Sequence, residues 1–183
     1  MEHSIPTNFN HLWSEDRALQ NKAFQDVLAA TSDPVDWAYD VWNEVLSNLR
    51  HKDNHNRAIA AQVLCNLAKS DPKKRMLKDF IALFAVTRDE RFVTARHCMQ
   101  ALWKVGASGT HQQKLLVAAL EGRYRECATE KNCTLIRYDI IQSLHKLYDA
   151  AKDENVKDKA LQLIETEPDL KYRKKYATVW RSK

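Results

Sequence analysis

Five arginines, Arg17, Arg57, Arg96, Arg137 and Arg173, recur at intervals of 40, 39, 41 and 36 residues, and each opens the same apolar pattern. Seven residues after each stands a large apolar side chain: Phe24, Leu64, Trp103, Leu144 and Trp180. Ten residues after the first four stand Val27, Leu67, Gly106 and Leu147. Offsets of three, four, seven and ten trace one face of a helix. A helix returning at the same phase about every 40 residues is the signature of a stacked helical array.

Composition agrees. Three glycines and four prolines in 183 residues leave little turn chemistry for a β-rich fold, so an all-α chain of about nine helices is expected. The length suits one domain. The four cysteines lack zinc-like or CxxC spacing and read as ordinary reduced thiols. No apolar run is long enough for a membrane span, and no secretory signal is legible, so no membrane partner and a cytoplasmic location are expected.

The net charge of +5 sits at one end: residues 169–183 hold six basic residues and one acid, while residues 1–168 hold 23 of each sign. The basic excess is therefore one terminal helix, not a stripe along the array.

An N-terminal helix is expected at about 14–31. Asp33-Pro34 and Asp71-Pro72 read as caps opening helices at 35–50 and 73–87, the second apolar nearly all round and expected deep in the core. Helices at 110–125, 134–150, 154–166 and from Pro168 to about Arg181 follow. Short connections into each arginine helix group them as antiparallel hairpins at about 35–69, 72–106, 110–150 and 154–181.

Residues 42–68, WNEVLSNLRHKDNHNRAIAAQVLCNLA, and 80–105, FIALFAVTRDERFVTARHCMQALWKV, resemble HEAT repeats: an apolar first helix, an acid in the tight turn, then an arginine early in a leucine-rich second helix. The resemblance covers almost the whole chain. It implies a right-handed α-α superhelix of the HEAT/ARM solenoid type. The turn acid is Asp53 or Asp89 in the better repeats and Glu130 or Glu167 in the others, at uneven distances, so a regular acid–arginine ladder is not expected.

A row of guanidinium groups suits phosphate binding, but offset zero lies on the apolar stripe. The resemblance to HEAT repeats implies a structural role for the five arginines, pairing with an acid or capping the preceding hairpin's carbonyls. The exposed strip then falls near offsets one, five and eight: Lys22, Gln25, Gln62, Cys65, His97, Lys104, Tyr138, His145, Lys174 and Arg181. Second helices of HEAT arrays line the concave face, so His97, Lys104, Tyr138, His145, Lys174 and Arg181 are the expected partner contacts. The competing reading is an ordinary solvated face.

The segment Lys171-Tyr172-Arg173-Lys174-Lys175-Tyr176 fits either a nucleic-acid contact or a cap with Tyr172, Tyr176 and Trp180 packed inward, and the cap is preferred. His51, Asp53 and His55 straddle a turn and lack a further ligand, so no metal is expected. His97 and Cys98 point apart on a helix, and no phosphate loop, GxSxG or HExxH occurs. The leading expectation is a non-enzymatic, cofactor-free, monomeric scaffold that binds a protein or peptide. The alternative is a nucleic-acid-binding protein similar to the HEAT-like DNA-alkylation-repair glycosylases; the acid directly after a repeat arginine is Asp139, at offset two, and no catalytic residue is carried over.

Overall fold

A computed structural model describes residues 4–181, and all regular structure among them is helical, without a strand. The chain divides into two compact units, Met1–Lys104 and Val105–Lys183.

In the first unit a 3₁₀ turn, η1 (Phe9–Trp13), precedes α1 (Arg17–Ala30), α2 (Ala38–Asn48), α3 (Asn54–Leu67), α4 (Met76–Ala85) and α5 (Phe92–Ala101). Helix α3 packs on α1, α2 and α5, and α2 packs on α4, so α1, α3 and α5 form one layer and α2 and α4 the other. Trp42, Leu64, Leu67, Met76, Leu83 and Met99 close the core between them. A short helix, α6 (Trp103–Ala107), carries the chain into the second unit, where α7 (Thr110–Glu126), α8 (Cys133–Ala151), α9 (Glu154–Glu165) and α10 (Leu170–Ala177) follow. There α8 packs on α7, α9 and α10 around Leu116, Leu120, Ile140, Leu144 and Leu147.

Aspartates cap three of the arginine helices, α1, α3 and α10. Asp16 accepts from Ala18 N–H and Leu19 N–H, Asp53 from His55 N–H, and Asp169 from Lys171 N–H. Each satisfies an amide that has no partner within its helix.

Three expectations need correction. The Asp-Pro pairs do not open their helices: α2 begins at Ala38 and α4 at Met76. Lys74 takes a left-handed φ of 54°, which ends any helix started at Pro72. Asp71 instead reaches over the turn to accept from Arg75 N–H at 2.8 Å and Met76 N–H at 2.6 Å. Nor is α4 deep in the core, because it belongs to an outer layer and leaves Ile81 81% exposed. Cys65 is fully buried rather than on the exposed strip, since α3 is flanked on both sides by α1 and α5; burial pushes its thiol up to about 12.

No helix among the described residues is long and apolar enough to cross a membrane.

Candidate functional site in the arginine-helix layer

Three of the turn acids tie successive hairpins together. Arg17 Nη2 donates to Asp53 Oδ2 at 2.6 Å, Arg57 grips Asp89 through Nε at 2.5 Å and Nη2 at 2.9 Å, and Arg137 Nη1 donates to Glu167 at 2.8 Å. Each acid also takes a backbone N–H two residues ahead, from His55, Arg91 and Asp169. Burial raises the Asp89 carboxyl, but the bonds from Arg57 and Arg91 N–H outweigh it and hold the group below its ordinary value; Asp53 follows the same pattern with Arg17 and His55 N–H.

The guanidinium groups also cover carbonyls of their own hairpins, not of the preceding one as expected, because the chain entering each arginine helix brings those carbonyls within reach. Arg57 Nη1 donates to His51 O and Lys52 O, Arg137 Nε to Tyr124 O, and Arg173 to Glu167 O. Arg96 lies over the Phe92 ring at 5.9 Å. Glu130 receives both terminal nitrogens of the buried Arg123, at 2.5 and 2.8 Å.

With the arginines committed to the hairpins, a groove of about 400 Å³ opens on α1, α3 and α5 of the first unit. Phe24, Ala58, Ile59 and Val93 give it apolar surface, and Gln20, Asn21, Asn54, His55, Gln62, Thr94 and His97 give it polar groups. Arg17 is the one lining residue with a fixed charge, and Asp53 and Gln20 hold it at 2.6 and 2.8 Å. Gln20 is itself buried and fixed, donating to Leu12 O and Asn56 Oδ1. Thr94 Oγ1 donates to Asn54 O at 3.2 Å, linking α5 to the start of α3. The lining is thus amide, hydroxyl and imidazole over an apolar floor.

Of the strip residues, Gln62 and His97 line this groove, and Lys22 and Gln25 are exposed on α1. Lys104 Nζ meets Asn66 Oδ1, and its ammonium lies 5.9 Å from the Trp103 ring. In the second unit Tyr138 sits under Lys175 at 4.9 Å and beside Tyr176, while His145 meets Trp180 edge-on at 4.8 Å and pairs with Asp149 at 3.3 Å. The chain's own last helix therefore covers much of that strip. Tyr176 donates to Thr134 O and is fully buried, whereas Lys174 and Arg181 are exposed.

Asn54, His55, Val93 and Thr94 were not on the strip. They stand three and two residues before Arg57 and Arg96, so the same repeat phase carries the signal that finds them.

Among the other candidates, His51 Nδ1 accepts from Asp53 N–H, and Asp53 is taken by Arg17. Cys98 is buried and donates to Leu83 O, with its thiol raised by burial, while His97 is exposed. Asp139 is fully buried.

Comparison with models of known protein families gives no match, and comparison with curated proteins gives none either.

Proposed function

We propose that this chain is a HEAT-like, non-enzymatic interaction protein whose first unit takes a protein or peptide segment in the groove on α1, α3 and α5. The observation that carries the reading is the lining: amide and imidazole groups over apolar side chains, with one fixed charge already paired to Asp53. Such a surface matches a peptide, whose backbone offers donors and acceptors and whose side chains offer apolar area. It matches a phosphate backbone poorly, since that needs several unpaired cations. The repeat phase and the two-layer hairpin packing support the HEAT-like assignment of each unit.

Affinity capture on the full chain, with nuclease in one arm, tests the reading. Captured protein should survive nuclease and be lost when His55 and His97 are both replaced by glutamate. Both side chains are exposed, so the fold should tolerate the change. Capture that persists in the double variant places the interface elsewhere.

Nucleic acid is the second reading, and the exposed Lys171, Lys174 and Lys175 on α10 favour it. Two of its three aromatics are withdrawn from that surface, because Tyr176 is buried and Trp180 packs on His145, which leaves the partly exposed Tyr172 as the one stacking candidate of the three. Binding to random duplex should weaken by about 0.9 log units per log unit of salt for every phosphate neutralised. Undetectable binding at about 50 mM salt removes this reading.

A further inference from the structure

Two of the four cysteines are brought together by the fold. Cys127 opens the 3₁₀ turn Cys127–Thr129 and Cys133 opens α8, so the pair brackets residues 128–132. Glu130 N–H donates to Cys127 O at 2.8 Å and Cys133 N–H to Glu130 O at 3.1 Å, two consecutive turns that fold the loop back on itself. Arg123 clamps the Glu130 carboxylate at the loop tip. The result is a Cys127 Sγ to Cys133 Sγ separation of 3.0 Å. A disulfide bond is about 2.05 Å long, so closure needs an approach of roughly 1 Å.

Access is asymmetric. Cys127 is fully buried and Cys133 is partly exposed, whereas Cys65 and Cys98 are both buried. Cys133 is thus the one cysteine of the four that is not buried, and a second sulfur lies beside it. That is the arrangement of an attacking and a resolving cysteine.

We propose that Cys127 and Cys133 are a modification site that closes to an intramolecular disulfide by exchange with a low-molecular-weight disulfide. Cys133 loses its proton to solvent and its thiolate attacks one sulfur of the small disulfide. That S–S bond breaks, the first small thiolate leaves and is protonated by water, and Cys133 is left as a mixed disulfide. Cys127 then gives up its proton and its thiolate attacks Cys133 Sγ. The Cys127–Cys133 bond forms and the second small thiolate leaves. Two protein thiols lose two electrons, and one small disulfide becomes two thiols.

The second step is the slow one. With both thiols free, burial together with the hydrogen bond and repulsion from Cys133 pushes the Cys127 thiol up to about 12, against the pull of Arg137 and Arg123. The mixed disulfide removes the Cys133 contributions, but burial, the largest cause, still holds the Cys127 thiol up. Closure should therefore accelerate as pH rises, while the mixed disulfide accumulates transiently at lower pH.

The test uses the full chain in mixtures of oxidised and reduced glutathione, quenched with acid and alkylated. The expected product has lost two hydrogens, carries no glutathione, and on tryptic digestion joins peptide 126–131 to peptide 132–137. Excess reduced glutathione should restore both thiols. Cys127→Ser should stall with glutathione on Cys133, and Cys133→Ser should take up none. A wild-type chain that stays reduced, that keeps glutathione on Cys133, or whose disulfide involves Cys65, Cys98 or a second chain overturns the proposal. Because the wild-type peptide linkage is decisive alone, a variant that fails to fold does not rescue it.

Discussion

Arg57 holds both carboxylate oxygens of Asp89, at 2.5 and 2.9 Å, across a sequence gap of 32 residues. The side chains are 13% and 5% exposed, so the pair is largely withdrawn from water. Without Asp89, Arg57 keeps only the His51 and Lys52 carbonyls and the exposed Glu90 at 3.9 Å, and breaking a buried pair costs about 3–5 kcal/mol. Asp89→Ala should lower the melting temperature by on the order of 10 °C. The equivalent pair Arg17–Asp53 is 49% and 29% exposed, and exposed pairs contribute about 0–1 kcal/mol. Asp53→Ala should then cost chiefly its helix cap, about 1 kcal/mol. Equal losses in calorimetry would show that burial does not rank these two links.

Acid should act through the same groups. Asp89 and Asp53 are held below the ordinary carboxyl value in the folded chain, and Glu121 is held below it by its bond from Lys159. The unfolded chain therefore binds protons more readily, and the stabilisation is complete above about pH 4 and lost as pH falls through the folded values. Urea midpoints should be level from neutral pH to about 5 and decline below about 4. Asp89→Asn should be less stable at neutral pH and show a shallower decline. A parallel decline in both proteins would remove Asp89 from the acid response.

The helical phase was legible because it depends only on a local period: Leu64 and Leu144, both at offset seven, are fully buried. The turn acids Asp53, Asp89 and Glu167 were legible as residues, but which arginine each would take was not, because each pairs with the arginine 36, 32 or 30 residues before it, a distance set by turn lengths. Cys65 was misplaced because one helix's pattern does not show how many neighbours it has, and α3 has one on each flank. The reverse held for α4, whose all-round apolar character leaves Ile81 in solvent. Of the twelve residues lining the groove, the expected strip held two, Gln62 and His97. Asn54, His55 and Thr94 precede the arginine, and only the packing of α1, α3 and α5 reveals that side of the helix as open. The contact between Cys127 and Cys133 needs two successive turns, which spacing alone does not encode.

Two glycines should respond oppositely to the same substitution. A Cβ on Gly106 would stand 2.9 Å from Leu116 Cδ2 and 2.9 Å from Leu147 Cδ1, and both leucines are fully buried, so their side chains must shift within the core. Overpacking of that kind costs about 1–3 kcal/mol, more than the roughly 1 kcal/mol of helix propensity that alanine returns. A Cβ on Gly122, within α7, meets nothing within 4 Å. Gly122→Ala should stabilise by about 0.5–1 kcal/mol and Gly106→Ala should destabilise, as read by denaturant midpoints. A stable Gly106→Ala would mean that the second unit's core repacks freely.

Lys152 ends α8 with a left-handed φ of 51°, and its N–H closes the helix by donating to Tyr148 O at 2.7 Å. A residue with a Cβ is strained there by about 1–2 kcal/mol, and glycine is not. The side chain gives little in return: its contact to Asp149 is 3.4 Å long with both groups more than half exposed, and its ammonium, 68% exposed, lies 5.4 Å from the Tyr148 ring. Glycine also frees the unfolded chain, which offsets part of the relief. Lys152→Gly should therefore raise stability by about 0.5–1 kcal/mol. The same change at Lys74, with a φ of 54° in the turn before α4, should act in the same direction. Thermal melts that fall for both variants would show that the lysine side chains, and not the backbone, set the balance at these turns.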